Sequence, residues 1–233
     1  MSEILPYWAV FLHGLGVTVV VTILGGVVAV ATAFAAGLAQ LSTHRLFRWP
    51  AYTFVEVFRG TSMLVQMFWF FFALPFFGFQ LTPMTAAVLA VGLNEGAYAA
   101  EIVRGSIASR PRGQDEACTA LGMGRALRLR RVLIPQAIPS MLPPFGNVMI
   151  DLLKATSLVS LVTVGELTFQ AQTVRNTTAQ TTAVFVTLLV LYFVMASALA
   201  LLTKWLERRF ALDRPSGPRR RGAMRLVKVG VDA

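Results

Sequence analysis

Four ionisable side chains sit where an ionisable side chain is expensive. Glu95, Glu101, Asp151 and Lys154 lie in stretches otherwise dominated by Leu, Val, Ala, Phe and Met. At mid-bilayer such a group costs roughly 2.5–3.5 kcal/mol on insertion scales, so it marks a path for solute or ions, or pairs with an opposite charge. Asn94, Tyr98 and Glu101 follow one another at i, i+4 and i+7, so a helix would set them on one face, with Glu95 at its flank. Such a stripe suits a zwitterionic solute. Its ammonium would favour a carboxylate, and its carboxylate would favour Lys154. The competing assignment is structural. Asp151 and Lys154 are spaced i, i+3 and could neutralise each other, and Glu56 and Arg59 have the same spacing.

Other chemistry finds little support. His13 and His44 are far apart, Cys118 is the single cysteine, and no Cys/His/acid cluster has metal-ligand spacing. No Ser/His/Asp or paired-carboxylate constellation supports a membrane-embedded enzyme. A phosphate loop requires Gly before its lysine, and Lys154, Lys204 and Lys228 all lack one. The chain is therefore expected to bind no cofactor and to leave ATP hydrolysis to another polypeptide.

The elements that must position these residues follow from the gaps between charges. No Asp, Glu, Lys or Arg lies between Glu3 and Arg45, between Arg59 and Glu95, or between Arg175 and Lys204. Each gap exceeds the ~20 residues that cross a bilayer core as a helix. With 14% charged residues and a mean hydropathy of +0.66, the chain reads as an all-α polytopic membrane bundle. The first apolar run is too long for a signal-peptide core and is expected to be retained. Five spans are expected: 9–41, 52–77, 84–103, one within 134–164, and 183–202. The polar stretch 165–182 is expected to connect the last two. Gly14, Gly16, Gly25, Gly26 and Gly37 in the first span are expected to allow close helix packing. Pro135, Pro139, Pro143 and Pro144 are expected to bend or break the entry to the fourth.

The net charge of +10 belongs to this topology rather than to nucleic-acid binding. With the N-terminus outside, the inside segments are 42–59, 104–131 and 203–233. They hold every one of the 21 basic residues except Lys154 and Arg175, as the positive-inside rule favours. Residues 1–212 form the expected membrane domain. Residues 213–233 form a basic cytoplasmic tail without periodicity, expected to be disordered or to meet anionic lipid heads.

The cytoplasmic segment from about 104 to 135 carries the most information. Pro111 and Gly113 punctuate its start, and Gln114-Asp115-Glu116 opens a short helix with acids at its positive end. Ala117, Ala120 and Leu121 give that helix a small apolar face, and Gly122 ends it. Glu116-Ala117-Cys118, three residues, Gly122, nine residues and Val132-Leu133-Ile134-Pro135 resemble the EAA loop of ABC importer permeases, with Cys118 in place of the second Ala.

Three further stretches resemble the polar amino acid branch of that family. They are Glu56-Val57-Phe58-Arg59-Gly60-Thr61-Ser62 through Gln66, with Ser62 where the branch has Pro; Asn94-Glu95-Gly96-Ala97-Tyr98 through Gly105; and Pro143 through Asn147 with Leu153-Lys154-Ala155-Thr156-Ser157-Leu158. The resemblance spans about 55–170. Residues 135–172 are also similar to permeases for ectoine-type compatible solutes.

The resemblance implies a type I ABC importer permease in a bacterial inner membrane. Its loop, through Glu116, Ala117, Cys118, Leu121 and Gly122, would couple to an ATPase dimer that holds ATP and Mg. A second permease subunit, identical or paralogous, and an extracytoplasmic solute-binding protein would complete it. Asn94, Glu95, Tyr98, Glu101, Lys154 and Ser157 are the expected substrate path. Glu56, Arg59 and Asp151 are the expected structural pairing residues. The rival from another class is a stand-alone ion-coupled transporter using Glu95, Asp151 and Lys154 as a relay.

Overall fold

The computed structural model describes residues 5–210, all of whose regular elements are helical. The expected basic tail, 213–233, lies outside them. Helix α1 (Trp8–Gln40) has 33 residues, about 50 Å at 1.5 Å per residue, more than a ~30 Å hydrocarbon core requires. Helix α4 (Pro83–Ala108) starts sharply, because Thr82 caps it by accepting from the Thr85 amide and Pro83 supplies a preset first turn.

These two helices form the most extensive helix–helix contact among the described residues. Their backbones approach where side chains vanish. A Cβ at Gly92 would lie 2.6 Å from Val28 Cβ, and one at Gly96 would lie 2.7 Å from Thr32 Cβ. In return, a Cβ at Gly37 would lie 2.8 Å from the Ala100 carbonyl. Apolar transfer gives little drive between helices in lipid, so close packing of small residues holds them together. Gly14, Gly25 and Gly26 of α1 are likewise buried against neighbours, but Gly16 faces open space and packs against nothing.

The expected second span is not continuous. Helix α2 (Arg45–Gly60) stops, Thr61 and Ser62 are extended, and α3 (Met63–Phe68) continues through a π turn and a 3-10 turn to Phe77. The two halves meet at 106°. Among the described residues four helical runs are long and apolar enough to cross a membrane, and this bent pair makes a fifth if counted as one.

Helix α5 (Arg112–Ala120) follows α4. Helix α6 (Arg125–Arg128) then passes through a π turn into α7 (Ile134–Ala155) without interruption. The expected break at the prolines does not occur. Pro135 directly follows the π turn, where the ladder is already locally rearranged, and Pro139, Pro143 and Pro144 lie within a continuous helix. After a 3-10 stretch (Thr156–Val162), the segment expected to be a polar connection is mostly helix α8 (Leu167–Thr178). It buries Leu167, Ala171 and Val174, at i, i+4 and i+7, against α1 and α9 (Thr181–Phe210). Gly146 of α7 meets Thr203 of α9 at another close crossing.

Candidate functional site

Ending α2 at Gly60 leaves backbone carbonyls without helical partners, and side chains take them up. Gln66 Nε2 donates to the Phe58 carbonyl at 2.8 Å and to Thr61 Oγ1 at 2.7 Å. Asn94 Nδ2 donates to the same Phe58 carbonyl at 2.9 Å and to Gln66 Oε1 at 3.2 Å. Tyr98 Oη donates to the Arg59 carbonyl at 3.3 Å, and the Arg59 guanidinium lies 5.3 Å from the Tyr98 ring centre. The α4 face predicted as a polar stripe therefore exists. Its Asn94 and Tyr98 are engaged in holding the α2–α3 break.

This arrangement overturns the Glu56–Arg59 pair. No ion pair among the described residues joins them, because Arg59 turns to Tyr98 on α4, where cation and π face attract. Glu101 is paired instead with Arg104, whose guanidinium grips both carboxylate oxygens.

Asp151 and Lys154 do pair, Nζ to Oδ1 at 3.1 Å, yet their side chains are 62% and 64% exposed. Ser157 Oγ donates to the Lys154 carbonyl and so stays beside it. Glu95 is different. It is buried, it accepts no hydrogen bond among the described residues, and Asp151 acts on it as a like charge from α7. The structure thus gathers Glu95, Asp151, Lys154 and Ser157 near the α4–α7 contact and sets Glu101 with its own partner Arg104.

Sequence reasoning missed Glu166. It is fully buried and caps α8, accepting from the Phe169 amide at 2.9 Å and from Tyr192 Oη at 2.9 Å. Thr18 of α1 accepts from the Leu167 amide at 3.1 Å, and Tyr192 also meets Thr156 and Thr168. Glu166 thus joins α1 through Thr18 and α9 through Tyr192 to the start of α8, and Tyr192 extends the network to the stretch after α7. The signal was present as an acid placed just before the Leu167, Ala171, Val174 repeat.

On the side of the bundle where α1 and α4 end, α5 stands outward. Glu116, Ala117, Ala120 and Leu121 are exposed, Leu121 to 79%, while Cys118 is buried against the protein itself. Gly122 has φ +69°, and the amides of Gly122 and Met123 bond to the Thr119 and Cys118 carbonyls at 2.9 and 3.0 Å. This is the Schellman ending that a left-handed residue after a helix produces. Behind α5 lies a cavity of about 310 Å³ bordered by Leu41, Ile107, Arg110, Pro111, Asp115, Arg125, Arg128 and Leu133, among others. The arginines around it bridge elements. Arg128 pairs with Asp115 at 2.9 Å and donates to Thr119 Oγ1 at 2.6 Å. Arg125 donates to the Leu41 carbonyl, and Arg110 to the Gln136 carbonyl and Ser140 Oγ.

Comparison with known proteins places this arrangement. The model of the family described as "Binding-protein-dependent transport system inner membrane component" matches residues 29–212. The probable amino-acid ABC transporter permease y4tF of Sinorhizobium fredii is 42% identical, over 88% of this chain and 91% of the relative. The L-cystine transport system permease of Bacillus subtilis is 39% identical, over 89% and 88%. The glutamine transport system permease of Escherichia coli is 35% identical, over 91% and 97%. Among solved structures, an amino acid ABC transporter crystallised with histidines superimposes with a TM-score of 0.82 at 34% identity, over 88% of this chain and 96% of that one. An inward-facing methionine ABC transporter shares the fold with a TM-score of 0.77 at 19% identity, over 89% and 99%.

Proposed function

Because the chain belongs to the family of binding-protein-dependent transport system inner membrane components, we propose that it carries a polar amino acid or a related small zwitterion inward across that membrane. It is a permease subunit of an ABC importer and a multi-pass inner-membrane protein. Such a subunit works with an ATPase and a solute-binding protein. In our reading a pair of ATPase subunits supplies the work and holds ATP and Mg, and this chain hydrolyses nothing. A second permease subunit, identical or paralogous, encloses the path.

One observation carries the solute path: an exposed carboxylate and an exposed ammonium, Asp151 and Lys154, within a membrane-spanning run. Charges with that exposure are not left against hydrocarbon, so they face an aqueous path or the second subunit. An α-amino acid brings one group of each sign. Lys154 holds its carboxylate, Asp151 and Glu95 favour its ammonium, and the solute's two charges replace the internal pair. The relatives named for cystine and glutamine support this class.

Alternating access follows from α5. Its exposed Ala117, Ala120 and Leu121 enter a groove on the ATPase, with Glu116 beside them. Closure of the ATPase dimer displaces α5 and turns the path outward, and hydrolysis resets it. The N-terminus is outside and the ends of α1 and α4 are cytoplasmic, in keeping with the distribution of arginines. The intact complex in vesicles, with ATP hydrolysis recorded against a panel of amino acids and ectoines, tests the reading. Stimulation by a polar amino acid is expected. Stimulation by ectoine alone would move the substrate to compatible solutes, and ATP-independent uptake by this chain alone would replace the importer with a secondary transporter.

A further inference from the structure

Helix α5 is poorly attached by the means that usually attach a helix. Among its described residues only Cys118 is buried. The chain enters it through Ser109-Arg110-Pro111 and leaves it through Leu121-Gly122-Met123-Gly124, with Gly122 in the left-handed region. Neither connection is regular, and glycine at both 122 and 124 makes the second permissive to bending. A helix on two such connections would swing before it pushed anything.

Side chains supply the attachment. Arg128 reaches from α6 back to α5, donating to Asp115 Oδ1 at 2.9 Å, to the Asp115 carbonyl at 3.3 Å and to Thr119 Oγ1 at 2.6 Å. The Arg128 side chain is 18% exposed and that of Asp115 57%, so water reaches the pair from the α5 side and screens it in part. Helix α6 runs through the π turn into α7 with no break. Arg125 of the same short helix donates to the Leu41 carbonyl at the end of α1. Arg110, at the end of α4, donates to the Ser106 carbonyl, to the Gln136 carbonyl and to Ser140 Oγ. Arg125 and Arg110 thus take up carbonyls at the ends of α1 and α4, and Arg110 also crosses to the first turn of α7.

We infer that Arg128 and Asp115, supported by Arg125 and Arg110, are positioning residues that lock α5 to α7, so that a displacement of α5 travels along α7 toward Lys154 instead of being absorbed in the turn at Gly122–Gly124. This rests on the reading of α5 as the element that docks on the ATPase. It adds that the work passes through one ion pair. Asp115 opens α5 and Arg128 closes α6, so the pair spans the flexible turn. Deleting either charge frees α5 from α7 and leaves its exposed docking face intact. Solute moved per ATP hydrolysed therefore falls, whereas the complex still assembles and hydrolyses ATP.

The test uses the complete transporter in vesicles and measures both uptake and ATP hydrolysis. Arg128→Gln and Asp115→Asn are each expected to lower the uptake-to-hydrolysis ratio by roughly fivefold, the change that loss of about 1 kcal/mol in a partly screened ion pair allows. The exchange Asp115→Arg with Arg128→Asp restores the pair and is expected to recover most of the ratio. Thr119→Val removes one acceptor of Arg128 without stranding a charge, and a smaller fall is expected even if the charge variants assemble poorly. An unchanged ratio in Arg128→Gln, or in Thr119→Val where the former cannot be purified, overturns the lock. Glu116→Lys separates this from the docking reading. Loss of transport in Glu116→Lys with a normal ratio in the Arg128 and Thr119 variants rejects the lock alone, and normal transport in Glu116→Lys rejects the docking on which it rests.

Discussion

Asn94 illustrates how far residue types alone reach. Its spacing with Tyr98 and Glu101 set it on a helix face, and the face is real. Spacing is silent about what meets that face, and here it is the Phe58 carbonyl at the α2–α3 break. Asn94→Ala leaves that carbonyl and Gln66 each short of a donor. Destabilisation by about 1–3 kcal/mol is expected, readable as a lower unfolding temperature of the purified protein. Arg59 shows the converse. An i, i+3 acid was available in Glu56, but an aromatic ring on a distant helix won, which no local pattern encodes. Lys154 was legible because an ammonium in an apolar run is conspicuous. Lys154→Ala should raise the solute concentration needed for half-maximal uptake, since the solute carboxylate loses its partner. An identical concentration dependence would return Lys154 to a structural role.

Among the elements, α5 and its ending were readable because each has a local chemical sign: acids at one end, Gly122 at the other. Gly122→Ala forces a side chain into the left-handed region and should cost about 1–2 kcal/mol at the end of α5. Gly122→Asp adds a negative charge at the helix terminus where carbonyls already concentrate, so transport should be lost in protein that still reaches the membrane. Normal uptake by that variant would argue against α5 as the coupling element. The α2–α3 break was hidden for an opposite reason. No charge falls between Arg59 and Glu95, three small or polar residues, Gly60-Thr61-Ser62, are the sole local sign of the bend, and hydropathy records composition without direction. Helix α8 was hidden because its exposed face carries enough Thr, Gln and Asn to mask the repeat of Leu167, Ala171 and Val174. At the α1–α4 contact, Gly96→Val would drive atoms into Thr32, 2.7 Å from the position of its Cβ. A loss of about 1–3 kcal/mol is expected, checked by protease resistance of the solubilised protein.

For the whole molecule, the apolar runs follow from the gaps between charges, which is why the bundle was legible before its packing was, and the side of each loop is what the placement of arginines predicts. What packing adds is a division of the surface. Helix α9 buries only Val184 and Leu188, and it exposes Leu189, Phe193, Leu201 and Trp205, as a lipid-facing helix must. The exposed Asp151 and Lys154 cannot share that environment. Cysteine labelling distinguishes the two sides of the membrane. In a Cys118→Ser background, Gln80→Cys, in the turn before α4, should react with an impermeant reagent from outside, and Ala117→Cys only after the membrane is opened. The reverse pattern would invert the orientation.

The union of α1 with α4 also has a consequence in time. A ribosome finishes α1 roughly 40 residues before it begins α4, and at about 5–20 residues per second that interval lasts about 2–8 s. Throughout it the glycine-lined groove of α1 has no permanent neighbour. Whatever escorts the nascent chain out of the translocon must shelter that groove or leave it to lipid, and must let go when Gly92 and Gly96 emerge. Slowing translation between codons 41 and 82 would lengthen the exposure and should increase degradation of the newborn protein.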